Sequence, residues 1–283
     1  MQLSRDNLWP HGLNGNAGKN IIRTTEGQQI VSNAVSKAKR GRSKQTSAGI
    51  ARQAEKLSTM TGENRSELQK TWDARIEAEL GIRASYYFRV VPQSNQPAII
   101  KAIADLGHEI GYHYEDMAIC GGDVVKAKQH FETQLAYFRN YYPVKTICMH
   151  GAPQSQFDGK ELWKTCDYRT YGIIGEPYFD IDYSQVFYLT DTGRRWDGFH
   201  VSVRDKIPVY QDQWIKQGLI FHTTDNIIKA IESGQLPEKV LITTHPQRWT
   251  DNRGAWVKEY VAQTIKNQVK RTLIGLRGIA QRR

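Results

Sequence analysis

Several things are scarce in this chain, and each scarcity narrows what it can be. Long apolar runs are missing: nothing approaches the roughly 18 uninterrupted apolar residues of a membrane span, and mean hydropathy is −0.60. The opening MQLSRDNLWPHG has no apolar core of the signal-peptide kind, which predicts no secretory leader. Cysteines number only 3, Cys120, Cys148 and Cys166, in no metal-binding spacing. Such a set reads as free thiols in a reducing compartment, so the cytoplasm is the expected location. Residues 1–70 also lack any β-branched or aromatic run with period-two alternation, so no strand is expected there.

What is present is a 283-residue chain with 39% hydrophobic residues, long enough to bury a proper core. The net charge of +10 is unevenly spread. Residues 1–70 hold 12 Lys/Arg against 5 Asp/Glu, and 258–283 hold 7 against 1, leaving 20 against 23 for 71–257. A mildly acidic body thus carries basic ends. Basic ends can engage nucleic acid or an anionic membrane surface, although such charge more often only solvates a terminal segment. Nucleic acid is therefore not the expected partner, and peripheral membrane contact through the C-terminal tail is kept as an alternative.

Three regions are expected: a basic arm over 1–70, helical or disordered; a β/α body over 71–262; and a basic amphipathic tail over 263–283. In the arm, TGENRSEL has a short similarity to the turn and second helix of ribbon-helix-helix DNA-binding proteins, without a preceding strand. From residue 71 the pattern becomes regular. TWDARIEAELG places Trp72, Ile76 and Leu80 on one helical face, and Gly81 stops the helix. Strands are expected at 84–91, 109–114, 144–149, 171–175, 186–190, 218–222 and 239–244. Helices are expected at 97–107, through VVKAKQHFETQLAYFRNYYP, around 161–163, at 225–233 and from about 253. Phe131, Leu135 and Phe138 form the apolar face of the long helix, and Val257, Val261, Ile265, Val269 and Leu273 recur every fourth residue near the end. The first half of that last stripe is expected to pack on the body. Alternating strands and helices argue for an α/β fold with a parallel, barrel-like sheet.

Four of the expected strands end near a histidine, in EIGYHYED, VKTICMHGAP, LIFHTTDN and KVLITTHPQRW. Strand ends are where β/α barrels gather side chains into one pocket, so His113, His150 and His245 are expected at one mouth, with His222 a less certain fourth.

Across 71–262 the motifs ELGIRASYYFR, GHEIGYHYED, VKTICMHGAP, YLTDTGRRWDG, FHTTD and ITTHPQRW together resemble the NodB-type polysaccharide deacetylases, in particular a subgroup from surface-polysaccharide loci. The resemblance implies a distorted (β/α) barrel, one divalent metal ion such as zinc, and hydrolysis of N-acetyl groups on a carbohydrate. It implies His113 as a metal ligand, with Glu115 or Asp116 supplying oxygen and His150 a further ligand. It implies His245 as general acid, and Asp191 as the carboxylate that orients it. Tyr112, Tyr114, Arg195, Trp196 and His222 are the implied substrate contacts.

Two departures stand out. The family has a second histidine four residues after the first, where this chain has Met117. The family's first motif, a strand ending in two aspartates, has no counterpart in 1–71, and Asp73 lies within the first helix. The barrel is thus expected to lack its first strand, leaving ASYYFRVV at an edge. General-base assistance is worth ~10²–10⁴ in rate. The alternative expectation is therefore an inactive carbohydrate-binding or structural protein on the same fold.

Overall fold

The computed structural model describes 73–92, 94–151, 155–194, 196, 207–245, 254, 256–265 and 267–268, together with the backbone of 19–23. The chain is mixed α/β. It divides into two units, 1–21 with 62–182 and 22–61 with 183–283.

In the first unit the sheet is three-stranded, in order β2 (Ser85–Phe88), β3 (Glu109–Tyr114), β4 (Ile147–Met149), all parallel. Helix α1 (73–79) leads into it. Between β2 and β3 lies α2 (Pro97–Asp105), with Pro97 in its first turn and Ile100 and Ile103 buried. Gly107 follows at φ +89, a left-handed residue that reverses the chain into β3. After β3 comes one short turn of helix, α3 (Asp116–Ile119), and then α4 (Val124–Arg139); a second short turn, α5 (Pro177–Asp180), follows β4. The Asp123 side chain caps α4 by accepting from the N–H groups of Val125 and Lys126.

The pleat of β3 explains how this unit is built. Ile110, Tyr112 and Tyr114 are fully buried on one face, where the rings of Tyr112 and Phe131 stand 5.4 Å apart and those of Tyr112 and Phe138 5.3 Å. Each such aromatic contributes roughly 1.5–3 kcal/mol of burial. The alternate residues, Glu109, Gly111 and His113, share the other face with Ser85, Tyr87 and Cys148, their register partners or neighbours on β2 and β4.

In the second unit β5 (Phe187–Thr190) pairs parallel with β6 (Lys239–Thr243). Among the described residues two α-helices lie between them in sequence. Trp214 of α6 (Pro208–Lys216) meets Phe187 edge-on at 5.1 Å. Helix α7 (Thr224–Glu232) starts with a full capping box between Thr223 and Asn226 and buries Ile227, Ala230 and Ile231. Residues 256–265 are helical and are labelled α8.

Several expectations need correction. A strand does form within 1–70: β1 (Lys19–Arg23, KNIIR) lies beside β6 in a sheet of order β1-β6-β5. Its two adjacent isoleucines are too few to show an alternation, so pairing rather than pattern places it. Residues 218–222 alternate between buried and exposed but are not a strand, and 171–175 contributes only an isolated bridge from Gly175 to Thr146. Helix α6 was not foreseen. On α1 the buried side chain is Ala74, while Ile76 is exposed. Along α8, Val257, Val261 and Ile265 are exposed instead of packed on the body; Trp72, Val269 and Leu273 lie outside the described residues. Among the described residues the strands form small parallel sheets and close no barrel. The expected edge position of β2 does hold within its sheet.

Candidate functional site

The C-terminal ends of β2, β3 and β4 bring together Arg89, His113, Glu115 and His150. Parallel pairing places these ends side by side, and the His150 N–H donates to the Tyr114 carbonyl at 2.8 Å, which holds the β4 exit against β3. The Arg89 guanidinium grips Glu115 in bidentate fashion, Nε and Nη2 each donating at 2.8 Å to a different carboxylate oxygen. His150 Nδ1 lies 2.7 Å from Glu115 Oε2, at ion-pair distance but without hydrogen-bond alignment. Burial opposes the charge on Glu115, yet the close approach of His150 and the paired hydrogen bonds and charge of Arg89 outweigh it, so the carboxyl sits below its ordinary range. His113 Nδ1 is 2.8 Å from the Cys148 carbonyl oxygen, which fixes the ring. Its ring stands edge-on to that of His150 at 5.1 Å and tilted toward Tyr87 at 6.3 Å.

The metal implied for these residues does not fit them. Both oxygens of Glu115 are engaged by a fixed guanidinium, and His150 turns Nδ1 to the same carboxylate. A divalent cation there would face the positive charge of Arg89 at close range. Among the described residues no group of three or more His, Cys, Asp or Glu is arranged to hold a metal. Asp116 does not substitute. It is fully buried, accepts the Tyr112 hydroxyl at 2.9 Å on each oxygen, and lies 2.5 Å from His130 Nδ1. Nor does it cap a helix from the N-cap position, which Glu115 occupies.

In the second unit the ends of β5 and β6 bring Asp191 and His245 together. The Asp191 carboxylate accepts the His245 backbone N–H at 2.9 Å through Oδ2 and engages ring Nδ1 through Oδ1. Asp191 is buried, while about a third of the His245 side chain is exposed. An ionised carboxylate only accepts, so Nδ1 is the nitrogen that donates in this pair.

The implied substrate contacts fare unevenly. Tyr112 and Tyr114 are corrected to core residues: the period of two turns them away from His113, into the packing of Phe131 and Trp163. Trp196 is also buried, its indole N–H donating to Thr224 Oγ1 at 3.1 Å, so it is a packing residue and not an exposed substrate contact. His222 is exposed just before the α7 cap, its backbone N–H donating to Asn226 at 3.3 Å. Arg195 lies outside the described residues. The sequence reading missed Arg89 and His130. A cation closing an apolar strand, as in SYYFR, was the available signal for Arg89; His130 sits mid-helix and gave none.

No protein-family model matches this sequence, and neither the curated proteins nor the solved structures hold a significant match to it. Among the described residues no helix is long and apolar enough to cross a membrane.

Proposed function

We propose that the chain is a carbohydrate-acting hydrolase of the polysaccharide-deacetylase type, which removes N-acetyl groups and uses the Asp191–His245 pair for proton transfer. The observation that supports this is the pairing itself. The resemblance named these two residues as general acid and orienting carboxylate, and they meet across 54 residues of chain. In amide hydrolysis the C–N bond breaks, the water oxygen ends on the acyl carbon, and the amine leaves with a proton. His245 Nε2 delivers that proton, and Asp191 stabilises the imidazolium while holding the tautomer.

A second reading is an inactive carbohydrate-binding or structural protein on the same fold. It is favoured by the Arg89–Glu115 pair, which occupies the carboxylate that the resemblance assigns to the metal. One experiment separates the two: acetate release from N-acetylglucosamine oligomers by the purified chain, alongside Asp191→Asn and His245→Ala. Turnover that falls ~10²-fold or more in both variants supports the hydrolase. Oligosaccharide binding by calorimetry without acetate release supports the second reading, and absence of both removes the carbohydrate proposal.

A further inference from the structure

Helix α8 is docked the wrong way round for a surface helix. Its inward contacts are polar: Gln263 is 9% exposed and its amide donates to Asn267 Oδ1 at 2.7 Å, while Asn267 Nδ2 donates to the Gly193 carbonyl at 2.9 Å. The aliphatic side chains face the other way, with Val257 52%, Val261 51% and Ile265 60% exposed. Trp256 and Tyr260, half exposed and stacked in parallel at 5.2 Å, flank them. A surface helix of a soluble domain ordinarily turns its apolar stripe to the core. Here the stripe is left on the outside as an ordered ridge.

Charge decides what fits this ridge. Residues 258–283 carry 7 Lys/Arg and 1 acidic residue, and exposed Lys258 lies directly beside the stripe. A second copy of the chain would bring a second set of the same positive charges to the contact. An anionic lipid surface would bring the opposite charge together with an apolar layer for the aliphatic side chains, and aromatic residues such as Trp256 and Tyr260 favour the boundary between them. We propose that α8 is a peripheral membrane-binding element that lies along anionic bilayers, its Val257–Val261–Ile265 ridge inserted and Lys258 at the headgroups. The proposal is independent of the hydrolase reading.

The test is flotation of the 283-residue chain with vesicles of phosphatidylcholine alone or phosphatidylcholine mixed with phosphatidylserine. The expected result is flotation with the mixed vesicles only, weakened by raised salt. The double variant Val261→Glu/Ile265→Glu alters exposed positions, and circular dichroism checks that it keeps the native fold; its flotation is expected to fall at least tenfold. Wild-type protein left in the soluble fraction overturns the proposal. So does a folded double variant that floats like wild type, which would assign binding to the basic tail alone. A wild-type dimer in sedimentation that the variant converts to monomer, with flotation unaffected, would assign the ridge to self-association and overturn it as well.

Discussion

Gly111 shows how single residues set the first unit. A Cβ at this position would stand 2.1 Å from Cε1 of Tyr87, because the tyrosine ring lies flat across β3 to reach Thr146 Oγ1 with its hydroxyl at 3.2 Å. The ring also borders His113. Gly111→Ala is therefore expected to push the ring off the strand, cost about 1–3 kcal/mol as an overpacked site, and disturb His113. Urea denaturation and the histidine NMR resonances of the variant check both effects. Asp191 and His245 were legible as a pair only because the resemblance named them; spacing alone does not join positions so far apart in sequence. Glu115 was legible as a site residue but not in its role, since its nearest cation, Arg89, arrives from another strand.

At the scale of elements, α4 carries a titratable contact that links it to the start of α3. His130 meets Asp116 at 2.5 Å, and that hydrogen bond, partly opposed by burial, lifts the imidazole above its ordinary value. The sign follows from the raised folded-state value. The stabilisation is complete below the unfolded pKa of about 6.5 and is lost as pH rises through the higher folded value. Removing one partner of a buried pair costs roughly 3 kcal/mol, so His130→Ala should be destabilised by about that much near pH 6, with the gap to wild type narrowing as pH rises. Guanidinium denaturation of both proteins across that range measures it. His108 acts in the opposite direction: burial lowers its value, its Nδ1 accepts the Ala84 N–H at 3.1 Å, and its stabilisation weakens as pH falls. Comparing wild type with His130→Ala at each pH cancels the His108 contribution.

For the whole molecule, the finding with the widest consequence is β1. The strand lies at the edge of the second sheet beside β6, so removing it would leave β6 with unpaired backbone groups along one side. A chain lacking residues 1–23 is expected to self-associate, seen as a rise in light scattering with protein concentration, while the Arg89–Glu115–His150 group is unaffected. A truncated chain as monodisperse as the untruncated one would count against β1 as an edge cover.

By itself the sequence determined the elements whose periodicity is strong. Strands β3, β5 and β6 come from aromatic and β-branched runs, α2 and α7 from amphipathic stretches with their stop or cap signals, and α4 from the spacing of Phe131, Leu135 and Phe138. These rest on local sterics and burial, which a linear pattern carries. Only tertiary structure decided that KNIIR pairs, that LIFH forms no strand, that Tyr112 and Tyr114 belong to the core, and that the apolar ridge of α8 points outward. Each depends on what stands opposite the residue, and a partner from elsewhere in the chain leaves no periodic trace. The same reason governs the site. A carboxylate at a strand end can hold a metal, an arginine or a histidine with equal chemical ease, and Glu115 is claimed by Arg89 and His150 because β2 and β4 flank β3.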